Sequence, residues 1–263
     1  MKARVLRLVP LALLLVAACV VALGSRDPSH LDPSRSWRVP SMAYPLGCGE
    51  AGVDLTAVLA HAIVRGVLLA IAVAGVGFVV GASLGASAAL ARGMTERIVS
   101  RACDLVQAFP SFLLALAVLS AVRTPSRVHL FFVFALTAWA PFARLALAQT
   151  RVLRSAGFVE AARALGRRPV AVLTDHILPN LLSILAVQLG ASAAAIVVSE
   201  AALAFVGLGP ASGVSLGSVL DQGTAAMLRA PHVLVAGSGS VMLTSVSLLI
   251  AGRAADPKGK TLD

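Results

Sequence analysis

Residues 159–180 read VEAARALGRRPVAVLTDHILPN, a polar, arginine-bearing stretch between two long apolar runs, and two helical patterns meet inside it at Gly166. Glu160, Ala161, Ala162, Ala164 and Leu165 are mostly strong helix formers, and their small members let another surface approach closely. Gly166 suits the left-handed conformation that stops a helix, and Pro169 suits the first turn of a new one. The stretch therefore predicts a helix, a sharp turn and a second helix. That second helix is expected from about residue 169 to 175 or beyond, with Pro179 marking entry to the next apolar segment.

The flanking runs set the class. Hydrophobic residues make up 58% of the 263 and charged residues 13%, with a mean hydropathy of +0.90, which is far from the soluble average and typical of a polytopic membrane protein. A net charge of +10 elsewhere suggests nucleic acid. Here the basic residues adjoin apolar runs and form no aromatic-interleaved patch, so they read as topology signals. Cys19, Cys48 and Cys103 lie far apart without metal-ligand spacing, and only Cys48 is expected on the oxidising side, so no internal disulfide is predicted.

Outward from the opening stretch, apolar runs predict about six spans. The first, residues 8–23, follows Lys2, Arg4 and Arg7 and is short; it reads as a retained first helix, with a lipoprotein-type signal ending at Cys19 as the alternative. Residues 25–60 are polar and proline-rich and form an external segment, too poor in apolar residues to fold alone. The next span covers residues 61–90, where Gly77, Gly81 and Gly85 share one face and predict a tight helix contact. A third is expected over 105–122, an external turn over 123–127, and a fourth span over 128–148, kinked at Pro141. Asp104 reads as an interfacial helix-start charge, and Arg144 as a residue near a membrane end that snorkels or pairs. A fifth span over 181–199 places Glu200 at the outer interface as a helix-end charge pairing with a neighbouring subunit, and a sixth covers 232–250. In domain terms this is a first helix with a short cytoplasmic N-terminus (1–24), a periplasmic segment (25–60), a five-helix core (61–252) containing the loop 151–180, and a tail (253–263). Lys2, Arg4, Arg7, Arg92, Arg97, Arg101, Arg144, Arg151, Arg154, Arg163, Arg167, Arg168, Arg253, Lys258 and Lys260 then gather on one side, 15 of the 22 basic residues, so both termini are expected inside.

The spacing within the opening stretch carries a resemblance. Glu160, Ala161 and Ala162, then Gly166, then Ile177, Leu178 and Pro179 resemble the cytoplasmic coupling loop of permease subunits of ATP-binding-cassette importers, written EAA-x3-G followed by I-x-LP or ILP. Further segments resemble the dipeptide, oligopeptide and nickel branch, in its second-permease type. They are YPLGCGEAGVDLTA at 44–57, CDLVQAFPSFLLALAV at 103–118, WAPFAR at 139–144, EAALAFVGLGPASGVSLGSVLDQG at 200–223 and AGRAADPKGK at 251–260. The first keeps Pro45, Gly47, Gly52 and Asp54 but lacks the Thr-Asp and Arg-Asp pairs of the branch, and Ala204 and Leu216 replace its usual Ser and Trp.

The resemblance implies an all-α type I importer permease in the bacterial inner membrane, forming half of a pathway for di- or oligopeptides, nickel or related small solutes. It further implies cytoplasmic ATPase subunits, a second permease and an external binding protein as partners, with ATP held by the ATPases and no cofactor on this chain. Glu160 would orient the coupling helix on the ATPase through charge-assisted hydrogen bonds, Ala161 and Ala162 would allow close approach, and Gly166 would set the turn. No G-x4-GK-[ST] loop is present, so the chain carries no phosphate loop of its own. An ion-gradient-driven secondary transporter is the alternative. It calls for acids buried in mid-membrane, whereas the predicted spans offer Gln107 and Gln188 as their chief polar residues. An enzyme needs convergent ligands or nucleophiles, and His30, His61, His129, His176 and His232 are scattered along the chain with no H-E-x-x-H.

Overall fold

The structure is a computed structural model that describes residues 2–24, 27–210 and 214–254. Among these residues the chain is helical, its one β contact being an isolated bridge between Cys48 and Asp54. The helices are α1 (Lys2–Leu23), α2 (Leu55–Ala91), α3 (Gly93–Ala108), α4 (Ser111–Ser120), α5 (Arg127–Leu153), α6 (Gly157–Ala164), α7 (Pro169–Val172), α8 (Leu178–Phe205), α9 (Leu216–Ala225) and α10 (Pro231–Ala254). Among the described residues four runs are long and apolar enough to cross a membrane, against the six spans expected: α2, α5, the run Val170–Phe205 and α10. The all-α polytopic fold expected from composition is therefore the fold observed.

The third expected span is not one rod. α3 and α4 meet at a bend of 66°, and only taken together are they long and apolar enough for a fifth, broken span. The cause is Pro110, which lacks an amide hydrogen and disfavours helical backbone at the residue before it; Phe109 accordingly sits at φ −96°, ψ 128°. The expected first span corresponds to an apolar stretch, Arg7–Leu23, shorter than the other four. It packs on α2 and α10 with Ala18 buried, and the Arg7 Nη1 donates to the Arg253 carbonyl at 3.2 Å, beside the end of α10.

Pro179 lies in the first turn of α8, at the entry to the next apolar segment as the sequence reads it, but the helix before it does not stop. Leu173–Ile177 form a single wide π-helical turn, and α8 follows directly. The turn ends where Pro179 has no amide hydrogen to give residue 175, so widening there spares a lost bond. α7, the wide turn and α8 thus run as a 36-residue rod, Val170–Phe205. α8 also extends beyond the expected end at residue 199, and this corrects the reading of Glu200. Its side chain is 7% exposed, and a Cβ built on Gly66 of α2 would lie 3.1 Å from its Oε2. Glu200 is therefore enclosed by its own chain, because a glycine on α2 leaves room for a carboxylate.

α2 and α5 share the most extensive helix contact. Gly77, Gly81 and Gly85 lie against Ala138, Trp139 and Ala143, as their common face predicts. α5 is started by Ser126 and His129, whose side chains cap each other's backbone amides, and continues through Pro141. One buried cluster, including Leu55, Leu59, Val67, Leu119, Leu130 and Leu203, fills the end of the bundle where α2 begins. A second, around Phe142, Leu181 and Leu185, fills the other.

The proline-rich segment before α2 takes its order from the bundle. Asp54 accepts from the Thr56 amide at 2.8 Å and caps α2, the Arg229 guanidinium lies 4.4 Å over the Trp37 ring, and a His232 ring nitrogen is 3.4 Å from the Cys48 carbonyl. Hydrogen bonds from the Ser34 hydroxyl hold the Asp32 carboxyl below the ordinary aspartate range. Burial pushes the Cys48 thiol up, and Cys19, Cys48 and Cys103 are all free.

Candidate functional site

The helix-turn-helix of residues 157–177 sits at the end of the bundle holding the second cluster, with one face fastened and one face open. Val159 and Ala162 of α6, with Val172 and Ile177 from the second limb, are buried against Ala82 and Ala86 of α2, Phe142 and Ala146 of α5 and Leu181 and Leu185 of α8. Val159 and Ala162 are three apart and so share a helix face; Val172 and Ile177 are five apart and share one only because the turn between them is π-helical. The two limbs are also joined to each other. The Arg167 guanidinium pairs with Asp175, and the Phe158 ring lies 6.3 Å from the His176 imidazole.

The turn is a glycine-terminated helix end. Gly166 has φ +78°, and the Arg167 amide reaches back to the Ala162 carbonyl at 3.1 Å, which uses a carbonyl the helix leaves unpaired. A Cβ at Gly166 would meet nothing of this chain within 4 Å. The conformation demands glycine, and the space around it is free.

The residues singled out by sequence divide between the two faces. Glu160, Ala161, Gly166 and Pro179 are exposed, Leu178 is half-buried, and Ala162 and Ile177 are buried. The first group lies open on this chain, and the last two anchor the element. The open face also carries Leu165 at 85% and Val170 at 70% exposure, together with the exposed Arg167 and Arg168. Residues that the sequence reading missed are Phe158, Val159, Val172 and the Arg167–Asp175 pair. The three-residue spacing of Val159 and Ala162 signals a buried stripe; the register across the wide turn leaves no such signal.

A second layer braces the base of the loop. Glu96 of α3 accepts from Arg151 and, at 3.3 Å, from Arg154, whose Nη1 also donates to the Ala89 carbonyl at 2.7 Å. Asp104 pairs with Arg144, so the two charges read separately from sequence form one bridge between α3 and α5. Through these contacts α2, α3 and α5 meet at the point where the loop leaves the bundle.

Comparison with known proteins adds the following. Residues 77–259 match the family described as "Binding-protein-dependent transport system inner membrane component". The chain is 31% identical over 243 residues to a protein of Pectobacterium atrosepticum named glutathione transport system permease protein GsiD, covering 89% of this chain and 79% of that one. Proteins of the same name from Shigella dysenteriae and Escherichia coli are 30% and 29% identical over 264 residues, covering 95% of this chain and 86% of theirs.

Proposed function

The chain belongs to the family of binding-protein-dependent transport system inner membrane components, and from that premise we propose that it is one permease half of an ATP-driven importer of small peptides. Its partners in this reading are a second permease, an external binding protein that delivers cargo, and cytoplasmic ATPase subunits. The relatives carry the name of glutathione, a tripeptide, which favours a peptide-type cargo. The basic end of the bundle, with the N-terminus of α1 and the C-terminus of α10, faces the cytoplasm.

The observation that carries the coupling role is the two-faced element at 157–177. Its buried face locks it to α2, α5 and α8, and its open face presents Glu160, Ala161 and the Gly166 turn to a partner surface. Closure of a nucleotide-driven ATPase pair would push on that face. The second limb is continuous with α8, so displacement of Val170 would be carried along a helical run of 36 residues, roughly 50 Å at about 1.5 Å per residue, toward the opposite side of the membrane. α6, anchored through Val159 and Ala162, transmits the same push to α2 and α5.

The test is Gly166→Asp, with Gly166→Asn as the conformational control, because asparagine tolerates the left-handed region. A Cβ here meets no atom of this chain, so the cost within the chain is that of a side chain at φ +78°, which the asparagine control shares. Gly166→Asp is expected to lose co-purifying ATPase and peptide uptake. An unchanged complex with unchanged uptake would refute the coupling role.

A further inference from the structure

The two helices on either side of the coupling element carry two opposed charges at their far ends. α5 leads into α6, and the limb after Gly166 runs without a stop into α8. Toward the opposite end of the bundle stand Arg127, the first residue of α5, and Glu200, within two turns of the end of α8. The Glu200 side chain is 7% exposed and packed on Gly66 of α2, where a methyl group would already lie 3.1 Å from Oε2. Among the described residues no hydrogen bond or ion pair reaches its carboxylate; the charge that acts on it is the Arg127 guanidinium, with which it makes no contact in this structure. An unpaired acid in a dry interior is costly, and ionisable groups inside membranes persist where they are used.

Arg127 is no better matched. Its Nη2 donates at 3.3 Å to the Val214 carbonyl, a neutral acceptor between α8 and α9, while the like charge of Arg65 on α2 also acts on it. A carboxylate would accept a bond about twice as strong and offset the second arginine. Arg65, Arg127 and Glu200 thus gather from α2, α5 and α8 with their best pairing unmade. Room separates the pair. α5 meets α8 far less extensively than it meets α2, and a cavity of about 330 Å³ lies between them. Thr137 of α5 lines one wall and Ser192 and Ser199 of α8 another, with Gln107 and Ser111 beside the α3–α4 break. Helices held apart by an open cavity can approach without repacking a dense core, whereas α2 and α5 are already in backbone contact at Gly77, Gly81 and Gly85.

We propose that Arg127 and Glu200 form a latch at the far end of the bundle: apart in this structure, they pair when the coupling element is pushed and α5 and α8 close on each other. The push enters at the lower ends of both helices, since α6 follows α5 and Val170 begins the run into α8. A ligand-driven transition needs a contact that one state has and the other lacks, and this ion pair supplies it. Both residues are positioning residues, which hold the outer ends of two helices in the second state. The proposal rests on the import reading above and adds to it the pair of charges that holds that second state.

The experiment replaces Cys19, Cys48 and Cys103 by alanine and places spin labels on Arg123→Cys and Val206→Cys, exposed positions beside the outer ends of α5 and α8. Pulsed electron resonance on the assembled transporter in nanodiscs should give a distance shorter by about 2 Å or more with ATP and vanadate than without nucleotide. Glu200→Gln should remove that difference. It keeps the shape of the side chain and takes a charge out of the interior, so its melting temperature should hold or rise, whereas an acid with a purely structural role would lose stability. Tripeptide uptake per ATP hydrolysed should fall about tenfold in Glu200→Gln and in Arg127→Gln, and no further in the double variant, as for two halves of one contact. A distance equal in both states, a shift that survives Glu200→Gln, or losses that add in the double variant overturn the latch and leave import intact. Absence of ATP-dependent uptake by the unaltered transporter overturns the import reading and the latch with it.

Discussion

Replacing Gly81 or Gly85 by alanine tests the packing on which the bundle depends. A Cβ at Gly81 would lie 2.2 Å from the Trp139 carbonyl oxygen and 2.8 Å from the Phe142 Cβ; one at Gly85 would lie 2.1 Å from the Ala143 carbonyl oxygen. Ordinary contact is about 3.5 Å, so α2 and α5 must part by roughly 1 Å at the crossing. The carbonyl oxygens are backbone and the Phe142 Cβ is bonded directly to it, so none can rotate aside. Separation would loosen Ala82 and Ala86 from Phe142 and Ala146, at a cost of about 2–3 kcal/mol for overpacking. Alanine recovers about 1 kcal/mol in helix propensity, which leaves a net loss of about 1–2 kcal/mol. Gly75 is the control, because a Cβ there meets nothing within 4 Å and Gly75→Ala should be neutral or stabilising by up to about 1 kcal/mol. The double variant should cost less than the sum, since helices already parted by one methyl group accept the second more easily. Thermal unfolding in detergent, followed by far-ultraviolet circular dichroism, reads the stability of the helical bundle. If Gly81→Ala and Gly85→Ala melt with Gly75→Ala, the close approach of α2 and α5 is not what holds them.

Other consequences are open to direct measurement. Glu96→Gln removes the shared partner of Arg151 and Arg154 and should lower stability by about 1 kcal/mol in detergent melts, less so in high salt; an unchanged melting curve at low salt would count against the brace. Cys48 is fully buried and burial raises its thiol pKa, so the reactive thiolate is scarce at pH 8 in the folded protein and increases as pH rises or the segment opens. An impermeant maleimide should leave it unlabelled at pH 8 until Trp37→Ala removes the ring, costing about 1 kcal/mol for the Arg229 contact and more for its packing on the core; rapid labelling of the unaltered protein would refute the packing. Hydrogen bonds from Ser34 depress the Asp32 pKa, so their stabilisation is present above the unfolded aspartate value, about 4, and is lost as pH falls through the lower folded value. Asp32→Asn should remove that acid sensitivity, read as amide exchange at Ser34.

Much of the bundle was legible because lipid simplifies the problem. Runs of apolar residues declare spans by length alone, and glycines four apart declare a shared face whatever that face meets. Gly77, Gly81 and Gly85 could thus be assigned to a helix contact without knowing that α5 would supply it. Pro110 carried a signal that the apolar run around it concealed: hydropathy sees one span across 105–122, whereas the backbone before a proline sees a break. The helix and turn at 157–166 were visible through residue spacing, since EAA-x3-G sets a helix and its stop within seven positions.

The sequence by itself determined the membrane class, the Gly166 turn and the small-residue face of α2, because each depends on local chemistry or simple period. The tertiary structure decided that the limb after Gly166 runs unbroken into α8, that Glu200 is enclosed beside Gly66, and that Gln107, Ser111, Thr137, Ser192 and Ser199 share one cavity. Those outcomes rest on which helices lie side by side and on how a wide turn reconciles a proline with a continuing rod. Both are relations between residues far apart in the chain, and no local period encodes them.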